Sequence, residues 1–216
     1  MSEMVRYTVY LIAVAVSFLM YAAMGKWNGF SVKKGGKEKY YFLLLPAALA
    51  LLAVLFVFRG ENVSIFRQWK ELCAVGLLWV IACIDVREHL IPNRYLLLGL
   101  GMRTAVFAVE AVTDMEMAVD SLILEGIGCL LLLTFCMLLR ILSRKGLGMG
   151  DVKLFALLPL FLGLLNGVRT LLYAMVIIFI QSCVCLLSKK KSKEDVLPFA
   201  PAIAGGAWLA ILISVA

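Results

Sequence analysis

Two aspartates lie where an ionised side chain is costly, because each adjoins an apolar segment of the chain. Asp85 follows the apolar residues 82–84, and Asp151 shortly precedes the apolar run 155–165. A charge in or at the edge of a bilayer costs about 2.5 kcal/mol or more unless it is paired or hydrated, so it indicates a functional site. Two such carboxylates facing one wet cavity would share a proton. One could activate water as a general base while the other acts as a general acid, and the sequence leaves open which does which.

Three glycines precede Asp151 at every second position, namely Gly146, Gly148 and Gly150. Glycine lets another backbone approach closely and accepts backbone angles that are closed to other residues, so we expect both uses here. The alternative is a flexible hinge, with Asp151 as an ordinary N-cap of the next helix. Lys153 either biases the ionisation of the two aspartates or anchors its helix at the membrane interface, and we favour the anchor.

The segment after Asp85 offers a metal-binding alternative. Pro92 prevents a simple helical continuation there, and Glu88 and His89 complete an Asp-x-x-Glu-His pattern. A single histidine without a second imidazole or a thiolate is a poor zinc site. The six cysteines lie in or at the ends of apolar runs, where they behave as small hydrophobic residues. We therefore predict no metal and no cofactor.

The two aspartate segments together resemble the prepilin peptidase family. Asp85 ends an apolar helix upstream of Ile91-Pro92-Asn93, and 66 residues later Asp151 closes a Gly-x-Gly-Asp sequence. A third segment, residues 197–201, resembles that family's Pro-Phe-Gly-Pro element, with Ala200 where glycine is usual. The resemblance covers about residues 72–216. It implies that Asp85 and Asp151 are catalytic and that the supporting motif residues are Gly148, Gly150, Lys153, Pro92, Asn93, Pro198, Phe199 and Pro201.

The resemblance implies a membrane-embedded aspartic endopeptidase. Its substrate would be a prepilin or pseudopilin precursor, cut at the cytoplasmic membrane face between a basic leader and an apolar helix. Bifunctional family members carry a large N-terminal insert with cysteine pairs and a methyltransferase activity. This chain has only a basic linker at 25–39, so we expect the short form, without methylation. The alternatives are an ion or proton transporter and a non-catalytic membrane subunit of a secretion machine.

Composition indicates the elements that must position these residues. The chain has 216 residues, of which 63% are hydrophobic and 16% charged, whereas soluble domains are about 45–50% apolar. We predict an all-α, polytopic integral membrane helix bundle with about eight transmembrane helices: two within residues 1–70, and a six-helix protease core within 71–216. The first run ends without a small-residue cleavage site, so no cleaved signal peptide is expected. The eight predicted spans are 5–24, 40–58, 72–85, 95–113, 118–139, 152–165, 168–187 and 197–215.

Loop charge predicts the orientation in the inner membrane. Fifteen basic residues fall in one set of loops, whereas the other set holds only Arg6, Arg59, Arg67, Lys70 and Arg169, with four acidic residues at 110–120. The positive-inside rule places the first set in the cytoplasm, with both termini outside and both aspartates at the cytoplasmic face. The net charge of +7 thus reflects contact with the lipid bilayer rather than with nucleic acid. Arg103 and Glu125 lie inside spans, either as a buried pair or snorkelling independently to opposite surfaces.

Overall fold

The computed structural model describes residues 64–143, 146–187 and 197–214, and within these the regular structure is entirely helical. The predicted spans 5–24 and 40–58 lie outside the described residues, as do the linker 25–39 and the basic cluster 189–193. The count of eight transmembrane helices and the division after residue 70 therefore stay predictions. The described helices are α1 (Ile65–Glu88), α2 (Asn93–Thr113), α3 (Met115–Leu142), α4 (Met149–Leu157), α5 (Pro159–Leu187) and α6 (Ala200–Ile213).

Three helices, α2, α3 and α5, are long and apolar enough to cross a membrane. Both α3 and α5 leave large apolar side chains on the outside of the bundle: Leu124 is 68% exposed, Phe179 68% and Leu187 85%. Apolar faces of this extent are unfavourable in water and favourable in lipid. The prediction of an all-helical membrane protein is confirmed.

Helix α1 forms the centre of the bundle, packed against α2, α5 and α6. Its apolar side chains are buried on several sides, with Leu72, Leu78, Ile81 and Ile84 at most 1% exposed. Ser64 caps the first turn by accepting a hydrogen bond from the N–H of Arg67. At the other end His89 adopts the left-handed conformation, with φ 50° and ψ 38°, and donates its N–H to the Asp85 carbonyl. Asp85 therefore lies in the last turn of a rigid, buried helix.

The chain reverses direction at Gly163, whose φ of 75° and ψ of 166° interrupt α5. A Cβ added at Gly167 would lie 3.2 Å from Cγ of Pro159, although eight residues of continuous helix would separate the two by about 12 Å. The residues on either side of Gly163 are thus folded back against each other. We predicted one span over 152–165 with a turn after it, whereas the turn comes within that run because a glycine there accepts a positive φ.

Four charged side chains form a buried network between α1, α2 and α3. Nζ of Lys70 lies 2.6 Å from Oε1 of Glu125 and 3.1 Å from Oε1 of Glu110, and Nε of Arg103 donates to Oε2 of Glu125 at 2.8 Å. Nη1 of Arg103 donates to Glu110 at 3.0 Å. The paired alternative for Arg103 and Glu125 is confirmed. Assigning Lys70 and Glu110 to exposed loops was wrong, because each is buried in a helix and neutralised by this network.

Candidate active site

The three sequence motifs meet at one end of the bundle, around the last turn of α1 and the first turns of α2, α4 and α6. Each meeting point is a specific contact between two segments that are distant in sequence. Asp85 bonds to the start of α6, Lys153 of α4 bonds to Asn93 at the start of α2, and Phe155 of α4 packs on Phe199 before α6.

Asp85 is 5% exposed, and its Oδ2 accepts a hydrogen bond from the backbone N–H of Ala200 at 2.8 Å. Ala200 is the first residue of α6, where backbone N–H groups lack partners within the helix. Phe199 offers no side-chain cap, and Pro201 has no N–H to donate. The carboxylate of Asp85 thus takes the place of the missing cap, and the positive end of the helix dipole strengthens the bond.

Asp151 occupies the first turn of α4, three residues after Gly148, and lies outside the three long apolar helices. Burial and then the negative charge of Asp85 raise the pKa of Asp151 from 3.8 to about 6, whereas a hydrogen bond with the backbone of Gly148 opposes the rise. This backward bond resembles the second half of a capping box. The alternative in which Asp151 is an ordinary N-cap is wrong, since Gly148 holds that position.

Gly148 and Gly150 provide space, not unusual backbone angles. A Cβ added at Gly148 would lie 2.6 Å from Oδ2 of Asp151, and one at Gly150 would lie 2.9 Å from Cβ of Ile91. Gly148 has a φ of −63°, and among the described glycines only Gly163 has a positive φ. The expected close approach of another backbone is confirmed at Gly150, where the Ile91 carbonyl oxygen would lie 3.6 Å from the added Cβ, but at Gly148 the neighbour is the side chain of Asp151. The expectation of glycine-only backbone angles is wrong at both positions. Gly148 makes room for a carboxylate, and Gly150 makes room for the loop after α1.

Lys153 is directed towards Asn93, at the start of α2, rather than towards the aspartates. Its Nζ donates to Oδ1 of Asn93 at 3.0 Å, and both side chains are exposed. Residues two apart on a helix do not face each other, which directs Lys153 away from Asp151. Pro92 holds an extended backbone (φ −71°, ψ 132°) just before α2 and thereby places Asn93 at its first position. Lys153 therefore anchors α4 to the start of α2.

The residues before α6 close the arrangement. The Phe199 ring meets the Phe155 ring edge to face, with centroids 5.6 Å apart and planes at 60°. Pro198 is half-buried in the stretch without regular structure just before the helix. Pro201 lies at the second position of α6, where a missing N–H costs no helical hydrogen bond. The segment therefore fixes the helix start that presents the Ala200 N–H to Asp85.

Glu88 and His89 are exposed at the end of α1. Within residues 64–143, 146–187 and 197–214, no three His, Cys, Asp or Glu side chains are grouped as metal ligands. His89 has a structural explanation instead, because it is the left-handed residue that ends α1.

Comparison with known proteins gives consistent matches. The sequence profile of the type IV leader peptidase family matches residues 72–187. A prepilin leader peptidase/N-methyltransferase of Bacillus subtilis (strain 168) is 29% identical over 170 residues, which is 78% of this chain and 66% of that protein. A protein of the same name from Stutzerimonas stutzeri is 29% identical over 151 residues, or 67% of this chain and 50% of that protein. The chain thus spans less than two thirds of the length of either relative. No solved structure gives a significant match.

Proposed function

Because the chain belongs to the type IV leader peptidase family, we propose that it is a membrane-embedded aspartic endopeptidase that removes the leader from prepilin or pseudopilin precursors. The observation that carries the proposal is the convergence of the segments that bear Asp85 and Asp151 at one end of the bundle, where Gly150 packs against Ile91 and Asp85 accepts the Ala200 N–H. The negative charge of Asp85 raises the pKa of Asp151, although the two residues are 66 positions apart in the sequence and lie on different helices. A structural ion pair would bring opposite charges together, whereas this site holds two acids.

In the proposed mechanism, Asp85 is the general base and Asp151 is the general acid. The hydrogen bond from the Ala200 N–H orients the carboxyl group of Asp85, and the pKa of Asp151, raised to about 6, leaves Asp151 protonated at mildly acidic pH and in a minor fraction at neutral pH. Asp85 takes a proton from a water molecule, whose oxygen attacks the scissile carbonyl carbon while Asp151 donates its proton to the carbonyl oxygen. The tetrahedral intermediate then collapses as Asp85 returns a proton to the leaving amine, and Asp151 regains one from the intermediate's hydroxyl.

The proposed substrate also has its scissile bond at a defined level relative to the membrane. A scissile bond between a basic leader and an apolar helix lies at the membrane surface, and we propose that the two acids near the end of α1 and the start of α4 lie at the same level. We propose that this surface is the cytoplasmic face of the inner membrane, with both termini outside, as the loop charges predict. We further propose cleavage without methylation, since the linker at 25–39 has no cysteine.

The test is cleavage of a prepilin with an intact leader by the full chain reconstituted in liposomes. Asp85→Asn and Asp151→Asn should each abolish the shortened product, because a lone aspartate lacks its complementary acid or base. Asp114→Asn is the matched control, since Asp114 is an exposed cap at the start of α3. Substantial cleavage by either site variant would remove that aspartate from the mechanism. Loss of wild-type cleavage on adding a chelator, restored by zinc, would contradict the metal-free proposal.

A further inference from the structure

A cavity of about 580 Å³ opens between α1, α3 and α5, at the end of the bundle remote from the aspartates. Arg67 lines it and lies 18 residues before Asp85 on α1, which corresponds to about 27 Å along the helix. Gly163 also lines it, so the wall includes the point where the chain reverses. The volume is in the range that holds a small ligand or a headgroup.

The cavity concentrates positive charge. Its lining includes Arg67, Lys70 and Arg169, with Glu125 as the one carboxylate among the described lining residues. The loop-charge rule assigns only five basic residues to this side of the membrane, and three of them line this cavity. The acidic residues Asp114, Glu116 and Asp120 begin α3 at the same end, but they do not line it.

Arg169 is the cation best placed to meet a ligand. Lys70 is neutralised by Glu110 and Glu125, and Nε of Arg67 lies 3.1 Å from Glu71. Nη1 of Arg169 donates to the amide oxygen of Asn166 at 3.2 Å, and in the described parts of the chain no carboxylate forms an ion pair with it. A guanidinium that is exposed and held by a neutral amide retains donors and charge for an incoming anion.

The other wall of the cavity is apolar and continuous with the outside of the bundle. Leu124 is 68% exposed, Ile127 48% and Leu165 73%, and all three line the cavity. They belong to the same apolar faces of α3 and α5 that we assign to lipid. The occupant must therefore combine an anionic group with an apolar body.

We propose that this cavity binds an anionic phospholipid, with the headgroup phosphate on Arg169 and Arg67 and the acyl chains along Leu124, Ile127 and Leu165. Arginine suits a phosphate because its planar donors bind two oxygens at once. A free phosphate ion would use the arginines but gain nothing from the apolar wall. The site lies across the bundle from the aspartates and does not depend on the peptidase activity.

The test is native mass spectrometry of the full chain in detergent with phosphatidylglycerol or phosphatidylcholine of identical acyl chains. The wild type should retain phosphatidylglycerol at a roughly tenfold lower lipid concentration than phosphatidylcholine, as expected for one charge-assisted contact. Arg169→Gln should remove this preference, whereas Arg169→Lys should keep most of it. Arg94→Gln is the matched control, because Arg94 lies at the opposite end of the bundle, over the ring of Tyr95.

Three results would overturn the proposal. They are equal retention of both lipids by the wild type, equal loss of the preference in Arg94→Gln and Arg169→Gln, and displacement of phosphatidylglycerol by inorganic phosphate at similar concentrations. The second result would indicate general surface charge, and the third would indicate a free-anion site. The unfolding temperature in lipid-free detergent checks the fold of each variant. If Arg169→Gln lowers it, Leu165→Asp replaces that variant, since a carboxylate on the exposed apolar wall should repel the phosphate and also remove the preference.

Discussion

Gly148→Ala is expected to damage catalysis while leaving the fold intact. The added Cβ would lie 2.6 Å from Oδ2 of Asp151, and ordinary contact begins at 3.4 Å, so the carboxylate must move by roughly 0.8 Å. A misplacement of about 1 Å can cost about 100-fold in rate. We therefore expect prepilin cleavage to fall roughly 30- to 100-fold. The unfolding temperature should change little, because the displaced atom is the end of a flexible side chain and Gly148 has a φ that alanine readily adopts.

Gly150→Ala should give a different result, which makes the comparison informative. Its Cβ would lie 2.9 Å from Cβ of Ile91, an atom fixed to the buried loop backbone. That loop must shift, which costs about 1–3 kcal/mol of stability in addition to activity. Gly146→Ala is the mild control, since the atom nearest to its added Cβ is the Ser143 carbonyl oxygen, 3.2 Å away. The assay pairs cleavage in liposomes with thermal unfolding in detergent. If Gly148→Ala keeps half or more of the wild-type rate, the steric reasoning is wrong.

Four further predictions concern ionisation, the buried network and orientation. Cleavage should decline as pH rises through about 6, because Asp151 then loses the proton it donates, and a pH–rate profile rising through that range would contradict its role as the acid. Since the pKa of Asp151 is higher in the folded chain, stability should decrease between pH 4 and about 6, and Asp151→Asn should remove that slope. Glu125→Leu should lower the free energy of unfolding by about 3 kcal/mol or more, because Lys70 and Arg103 are then left with Glu110 alone. Equal unfolding temperatures for this variant and the wild type would refute the prediction. Single cysteines at 89 and 114, in a cysteine-free background, should label from opposite faces, and labelling from one face would refute the predicted topology.

The aspartates were identifiable from sequence because their signal is local. A carboxylate beside an apolar run stands out whatever its partners are, and the glycines before Asp151 indicate close packing by their spacing alone. The contacts that hold the site could not be identified in this way. Lys153 and Asn93 are 60 residues apart, and the partner of Asp85 is a main-chain N–H 115 residues away. Every residue except proline has a backbone N–H, so the residue types do not identify this donor. Only Pro201 indicates from the sequence that a helix begins nearby.

The errors at the other end of the bundle have a common physical cause. Charge counting treats a charged residue as the end of a span, so Lys70 and Glu110 were assigned to loops. Both lie inside helices, because residues on other helices neutralise them. The turn at Gly163 was placed too late because hydropathy stays high through Leu164 and Leu165. A hydropathy profile shows neither the neutralisation of a charge by a residue distant in sequence nor the backbone angle of a glycine.

The hydrogen bond from Ala200 to Asp85 also has a consequence for the order of events during synthesis. Asp85 leaves the ribosome 115 residues before its partner, and for the last 49 of these residues, between positions 151 and 200, the nascent chain carries both acids without the contact that orients the first. In the mechanism that we propose, a growing chain that has already inserted α1 and α4 therefore lacks a competent site. Translation of α6 supplies the missing contact, much as removal of a pro-segment completes a zymogen.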